Sequence, residues 1–175
     1  NSCTQLITIQ DTARPSITCP VDLTISCELN TVPSNTGIAA STDNCTDVVT
    51  NIVFTDTRIN GSCNDNYLIS RTWIAVDSCG NFNDCTQLIT VKDTTPPVIN
   101  CPSDITINCM TTSDTTNTGV ATAMDNCTDK VTNLNYFDFI LNGGCSGNFI
   151  ITRTWNSIDS CANASSCEQK IVVQT

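Results

Sequence analysis

The cysteines of this chain fall on a ruler 82 residues long. Cys3, Cys19, Cys27, Cys45, Cys63, Cys79 and Cys85 are matched, 82 positions on, by Cys85, Cys101, Cys109, Cys127, Cys145, Cys161 and Cys167. The match extends beyond cysteine: Arg71-Thr72-Trp73 returns as Arg153-Thr154-Trp155, and Cys3-Thr4-Gln5-Leu6-Ile7-Thr8 returns as Cys85-Thr86-Gln87-Leu88-Ile89-Thr90. A strict period with no insertion means copies of one stapled unit, and such copies usually build extended arrays.

The 175 residues therefore divide into two repeats, preceded by a short segment. The expected boundaries are 1–14 for the last strand of a preceding repeat plus a linker, 15–93 for repeat 1 and 94–175 for repeat 2. Units of about 80 residues bury a modest core and commonly need covalent reinforcement. Each disulfide adds about 2–4 kcal/mol by restricting the unfolded chain. Cysteine at this density points to an oxidising compartment. Zinc is the competing reading, but the chain has no histidine and no Cys-x-x-Cys pair, so ligand spacing is missing.

The net charge of −10, with seven scattered basic residues, argues against nucleic acid and anionic membranes as partners. No apolar run approaches the ~20 residues of a membrane span. The chain starts at Asn1 without a signal peptide, so an export signal is expected elsewhere or already removed.

Thr, Ser, Asn, Ile and Val dominate, and apolar residues alternate rather than recur at a helical period, which is strand chemistry. Expected strands in the first copy cover 16–19, 22–27, 37–42, 49–57, 66–70, 71–78 and 85–92, with Asp77–Asp84 as a hairpin connection. This count predicts an all-β chain of two tandem immunoglobulin/fibronectin-like antiparallel sandwiches, disulfide-stapled. Trp73 and Trp155 are expected in the cores, as is Phe54. Tyr67, Phe82, Tyr136, Phe137, Phe139 and Phe149 fall mostly inside expected strands, leaving few aromatics for binding. The linker Lys92-Asp93-Thr94-Thr95-Pro96-Pro97 and its earlier copy Gln10-Asp11-Thr12-Ala13-Arg14-Pro15 contain prolines that favour a stiff, extended connection. End-to-end stacking into a rod is the expectation.

Ile17-Thr18-Cys19-Pro20, Asp43-Asn44-Cys45, Arg71-Thr72-Trp73, Asp77-Ser78-Cys79-Gly80-Asn81 and Cys85-Thr86-Gln87 resemble repeats of very large Bacteroidetes surface adhesins of the gliding-motility type. The pattern is also similar to the HYR module, an immunoglobulin-like domain of extracellular adhesion proteins. The resemblance covers essentially the whole chain, twice, and departs from the pattern at Cys161-Ala162-Asn163, where alanine stands in place of Gly80. It implies an exported, cell-surface, tandemly repeated stalk, and catalytic residues are not part of it.

Six cysteines per repeat allow 15 connectivities. Immunoglobulin-like topology groups Cys19, Cys45, Cys79 and Cys85 at one pole and Cys27 and Cys63 toward the other. The expected set is Cys19–Cys85, Cys27–Cys63 and Cys45–Cys79, repeated as Cys101–Cys167, Cys109–Cys145 and Cys127–Cys161, with Cys79–Cys85 as a competing local closure. Cys3, the copy of Cys85, is expected to pair outside the chain, either in a longer array or with another subunit by strand addition.

The acidic turns are the candidate binding site. Asp43 and Asp47, Asp77 and Asp84 are expected at the pole facing Asp11, and the second copy offers Asp93, Asp125, Asp129 and Asp159. Converging carboxylates are hard oxygen ligands that suit calcium, while the plainer reading is turn aspartates capping loop amides. No cofactor is required by either reading. Asn44, Asn60, Asn126 and Asn163 begin N-glycan sequons by pattern, two of them across disulfide cysteines. By the resemblance, Thr12, Thr94 and Thr115 sit in O-glycosylation motifs of Bacteroidetes. A His-dependent nucleophile is excluded in a chain without histidine. The expected function is a structural repeat of an exported bacterial adhesin stalk or extracellular filament, whose partners are neighbouring repeats or subunits. The alternatives are a glycan- or surface-binding adhesion module and a strand-exchanged polymer subunit.

Overall fold

The computed structural model describes residues 2–45, 51–127, 131, 133–142 and 147–175. The chain is all-β. Among the described residues, twelve strands and two single-turn helices follow one another as β1 Ser16–Thr18, β2 Leu23–Ser26, α1 Pro33–Thr36, β3 Ala40–Thr42, β4 Asn51–Asn60, β5 Tyr67–Val76, β6 Phe82–Lys92, β7 Val98–Asn100, β8 Ile105–Asn108, α2 Thr115–Thr118, β9 Thr122–Met124, β10 Asn133–Asn142, β11 Phe149–Ile158 and β12 Ala164–Gln174.

Two compact units emerge. The first holds Asn1–Ile25, Leu29–Asn60 and Tyr67–Val91; the second holds Ser26–Glu28, Gly61–Asn66 and Lys92–Thr175. The second unit thus takes in two short pieces of the first sequence repeat, including Cys27 and Cys63.

In the first unit a four-stranded sheet has the order β2-β6-β5-β4, and β1 pairs with β3 in a two-stranded sheet. Strands β5 and β6 form an antiparallel hairpin with Val76 opposite Phe82 and Trp73 opposite Cys85. One ten-residue strand replaces the two expected at 66–70 and 71–78, because alternation runs through Ser70-Arg71 unbroken. Ile69, Arg71, Trp73 and Ala75 point inward from β5 and meet Ile25, Ile89 and Val91 in burial. The second unit repeats this with the order β10-β11-β12-β8 and a β7-β9 pair. Ile107, Ile151, Ile171 and Val173 form its apolar cluster, with Ile105 and Phe149 against it. Here β12 pairs with β8 in parallel, Ile171 opposite Ile105. The two strands need no short connection, so nothing obliges them to run antiparallel.

Residues 37–39 do not extend β3 as expected. Pro33 opens α1, where its missing N–H costs nothing. Gly37 then reverses the chain at φ 99°, and a Cβ there would lie 2.7 Å from Pro20 Cβ. The same turn recurs at Gly119.

A buried arginine organises each unit. Arg71, 1% exposed, donates to both oxygens of Asp56 at 2.8 Å, to Thr36 Oγ1 at 2.8 Å and to the Thr31 carbonyl at 2.7 Å. Arg153 makes the matching bonds to Asp138, Thr118 and Ser113. Its hydrogen bond with Asp138 pushes the guanidinium pKa up, against a smaller opposing effect of burial. Gln87 is fully buried beside this network and donates to the Thr36 and Val21 carbonyls at 2.7 and 3.1 Å. Deep polar groups of this kind need every partner present. Trp73 and Trp155 lie in the cores, 2% and 3% exposed.

The aromatic expectation needs correction on the edge strands. Phe54 is not core: it lies partly exposed on β4, its ring 5.1 Å from that of Trp73 and 4.5 Å from the Arg71 guanidinium. Phe82, the first residue of the inner strand β6, is also exposed, and on edge strand β10 so are Tyr136, Phe137 and Phe139. An edge strand has a neighbour on one side only, so even inward-facing rings stay partly in water.

Candidate cation site

Asp93, Asp125 and Asp159 converge in the second unit, with carboxylate oxygens within 4.8 Å of one another. Three different segments supply them: Asp93 ends the extension of β6, Asp125 follows β9, and Asp159 follows β11. All three are buried, at 3%, 8% and 2% exposure.

Each aspartate first serves its own loop. Asp159 Oδ1 accepts the N–H groups of Cys161 and Asn163 at 2.8 and 2.9 Å, and Oδ2 accepts Asn163 Nδ2 at 2.8 Å. Asp125 Oδ2 accepts the Cys127 N–H at 3.2 Å, and Asp93 Oδ1 accepts the Thr95 N–H at 3.1 Å. These are the turn caps expected of aspartate. They leave Asp93 Oδ2 and Asp125 Oδ1 buried with no hydrogen-bond partner, and Asp65 Oδ2 is in the same condition.

Asp65 comes from the 61–66 loop that the second unit takes in, and it forms a further close group with Asp93 and Cys161. Its neighbour Asn66 fixes the loop, since Asn66 Oδ1 accepts the Asp93 N–H at 2.7 Å. Burial pushes the Asp93 carboxyl up; the Thr95 N–H opposes this, and Asp125, Asp159 and Asp65 reinforce it. Buried oxygens without partners are costly, and converging carboxylates repel. A hard divalent cation removes both penalties at once. Asp93, Asp125 and Asp159, with Asp65, are the residues that would hold calcium. Asp129 lies outside the described residues, as does Asp47 of the first copy.

The first unit carries a weaker version. Asp11, Asp43 and Cys45 come within 4.8 Å of one another, and Asp43 Oδ1 is buried without a partner. Asp77 caps its own loop at the Cys79 and Asn81 N–H groups, both at 2.8 Å. Burial pushes the Asp77 carboxyl up, but the Asn81 side chain and the Asn81, Cys79 and Gly80 N–H groups together hold it below the usual carboxylate range. Asp11 and Asp43 are half-exposed and Asp84 is exposed. No counterpart of Asp65 closes this site among the described residues.

The cysteines are placed as follows. Cys19 bonds Cys85 and Cys101 bonds Cys167, with Cα atoms 5.8 and 5.9 Å apart. Cys27 bonds Cys127 and Cys63 bonds Cys161, with Cα separations of 5.7 and 5.2 Å. These replace the expected Cys27–Cys63 and Cys127–Cys161 pairs. Cys27 directly follows β2 and donates its N–H to the Lys92 carbonyl at 3.0 Å, which draws it to the segment where Asp93 and Cys127 meet. Among the described residues Cys3, Cys45, Cys79 and Cys109 are exposed free thiols, so the expected Cys45–Cys79 bond is not formed. The Cys109–Cys145 expectation finds Cys109 free, while Cys145 lies outside the described residues. Thr12 and Thr94 are exposed in their linkers and Thr115 is half-exposed at the start of α2.

Sequence reasoning missed Asp65, Asn66 and the buried arginines. The signal for Arg71 was present: it shares strand parity with Trp73, so a core tryptophan implies an inward arginine. Nothing local marks Asp65.

No family model matches the chain, and no curated protein does. Among solved structures it is similar to Drosophila N-cadherin EC1-4, at 10% identity and a TM-score of 0.38, covering 93% of this chain and 50% of that one. It is also similar to Drosophila N-cadherin EC1-3, at 11% identity and a TM-score of 0.34, and to protocadherin gamma C5 EC1-3, at 12% and 0.36. In both cases 93% of this chain covers 68% of the other. The chain spans half the length of the first of these structures.

Proposed function

We propose that the chain is a structural repeat of an exported bacterial surface adhesin stalk or extracellular filament, a stiff rod of end-to-end immunoglobulin-like repeats. The observation that carries this reading is the use made of cysteine. Four disulfides tie the described residues, and two of them, at Cys27 and Cys63, bond cysteines of one sequence repeat to cysteines of the next within a single compact unit. Cross-links of this kind serve mechanical and proteolytic resistance in an oxidising, extracellular setting. The resemblance of the Ile17-Thr18-Cys19-Pro20 and Arg71-Thr72-Trp73 motifs to Bacteroidetes adhesin repeats supports the same reading. Calcium at Asp93, Asp125 and Asp159 stiffens the segment between repeats, and glycans on Thr12 and Thr94 protect it. The reading assigns no catalytic residue.

A second reading has one specific support. Phe137 and Phe139, 57% and 63% exposed on edge strand β10, offer aromatic faces of the kind that bind glycans or other surfaces.

The test is antibody labelling of intact cells of the source organism, with immunogold imaging. Label along surface fibres is the expected result, and label confined to the cell interior overturns the proposal. A glycan array probed with the chain addresses the second reading. Saturable binding lost in Phe137→Ala/Phe139→Ala supports it, and binding that survives both substitutions rejects it.

A further inference from the structure

The outermost strand of the four-stranded sheet meets water differently in the two repeats. Strand β4 has β5 as its one neighbour, and its copy β10 has β11. Such a strand presents a row of unpaired N–H and C=O groups, which invites another strand unless polar or charged residues guard it. Guards are present on β4: Thr55, Thr57 and Arg58 are exposed, and the Arg58 guanidinium lies 3.8 Å from the centre of the Tyr67 ring. On the 82-residue ruler their copies on β10 are Phe137, Phe139 and Ile140, exposed at 57%, 63% and 54%.

Parity sorts the two faces of β10. The Tyr136 ring lies 4.9 Å from that of Trp155, and Asp138 accepts from Arg153 at 2.8 Å, so these positions face the core side. Phe137, Phe139 and Leu141 take the other face, opposite Thr154, Thr152 and Ile150 of β11. Asp138 is the one charged residue of Asn133–Asn142, and Arg153 neutralises it. The edge is therefore apolar and without net charge, which suits a partner strand of the same character and gives a strongly charged one nothing to complement.

We infer that the free side of β10 pairs antiparallel with β10 of a second copy of this chain. Residues directly opposite in an antiparallel pair share a face. Centring the pair on Phe139 sets Phe139 against Phe139 of the second copy, Phe137 against Leu141 and Asp138 against Ile140, with residues 136–142 overlapping. Centring it one residue earlier sets Asp138 against Asp138, and like charges directly opposite are destabilising. From the exposure of Phe137 and Phe139, the two rings of each copy together offer about 500 Å² to the pair. With Ile140 and Leu141 added, the contact stays in the range below about 1,200 Å² that marks weak, reversible association. It gains by repetition where many copies lie on neighbouring chains. The inference goes beyond the stalk reading and does not depend on it.

The full chain, its exposed thiols blocked with iodoacetamide so that no disulfide dimer forms, is followed by sedimentation equilibrium from micromolar to millimolar concentration. Dimers are expected that grow with concentration and with added salt, which screens the net charge of −10 on each copy. Phe137→Thr/Phe139→Thr gives β10 the residues that β4 carries at the same positions of the same strand. It should keep the melting temperature of the dilute chain and weaken dimerisation by about tenfold or more. Phe139→p-benzoylphenylalanine, irradiated in a mixture of isotopically light and heavy chains, should cross-link to residues 137–141 of the other chain. A chain that stays monomeric at millimolar concentration, a dimer that the double variant leaves intact, or cross-links to the exposed segment 3–10 overturns the inference. Glycan binding through Phe137 and Phe139 by a chain that stays monomeric also overturns it and supports the second reading above. Immunogold labelling of cells is unaffected by any of these results, so a failure here leaves the stalk reading to its own test.

Discussion

Replacing Asp93 by Asn separates a cation site from a set of loop caps, because the two predict opposite signs without metal. Asn keeps an oxygen where Asp93 Oδ1 accepts the Thr95 N–H at 3.1 Å. It puts an NH2 donor where Oδ2 now lacks a partner, in a cluster where Asp125 Oδ1 also lacks one. It also removes a negative charge from a group whose oxygens lie within 4.8 Å. At an effective dielectric of about 20, each such pair repels by about 3.5 kcal/mol. Protonation of Asp93, whose carboxyl burial and its neighbours push up, already relieves part of this. About 1–3 kcal/mol is therefore expected to return on substitution, near 2–4 °C in melting temperature per kcal/mol for a chain of this size. In chelator at pH 7, Asp93→Asn should melt about 2–12 °C above the parent. In calcium the order should invert: a parent at a thousandfold excess over its dissociation constant gains about 4.1 kcal/mol, and the variant gains little. Differential scanning calorimetry with chelator and with calcium reads both arms. A variant less stable than the parent in chelator, with no calcium shift in the parent, refutes the cation reasoning and leaves Asp93 as a cap.

Further outcomes follow from other parts of the fold. Arg71→Met strands Thr36 Oγ1 and the Thr31 carbonyl and removes the partner of Asp56, and should cost about 3–5 kcal/mol by urea denaturation; Arg71→Lys should recover only part, since an ammonium cannot reproduce the fork. Ala162 sits at φ 72° where its copy Gly80 sits at φ 88°, so Ala162→Gly should stabilise by about 0.5–1 kcal/mol, while Gly80→Ala should destabilise similarly. Calcium affinity should rise as pH climbs above the usual carboxylate range of about 4, because Asp93 is held protonated to higher pH and must release its proton to bind; isothermal titration in two buffers of different ionisation enthalpy measures that proton. Without metal the two shifted carboxyls act in opposite senses. The raised Asp93 favours the fold below its unfolded pKa, and that contribution is lost as pH rises through its folded value. The lowered Asp77 favours the fold above its unfolded pKa, and that is lost as pH falls through its folded value. Thermal scans of Asp93→Asn and Asp77→Asn across pH 3–8 should therefore approach the parent at low pH and part from it at high pH in opposite directions, Asp93→Asn above it and Asp77→Asn below it.

Local pattern was enough for much of the architecture. Alternation in Leu23-Thr24-Ile25-Ser26 and along Leu68–Val76, with turn residues at Asp77-Ser78-Cys79-Gly80, places strands and hairpin to within a few residues, because side-chain parity in a strand is set by neighbouring residues alone. The single-turn helices at Pro33–Thr36 and Thr115–Thr118 escaped notice, since four residues carry no readable period. The exposure of Phe54 and of the β10 aromatics escaped for a different reason. Whether a strand lies at an edge depends on sheet order, which the strand's own residues do not encode.

The acidic turns and the cysteine ruler were legible as inventories of Asp and Cys, and the period itself already separated Cys3 as an outlier. Which aspartates converge, and which cysteines bond, depended on three segments meeting where the β6 extension passes Asp125 and Asp159. Spacing along the chain records how many partners a repeat carries and repeats them faithfully. Only packing brings Cys27 to Cys127 and Asp65 to Asp93, because a disulfide or an ion site answers to distance in space and not to separation along the chain.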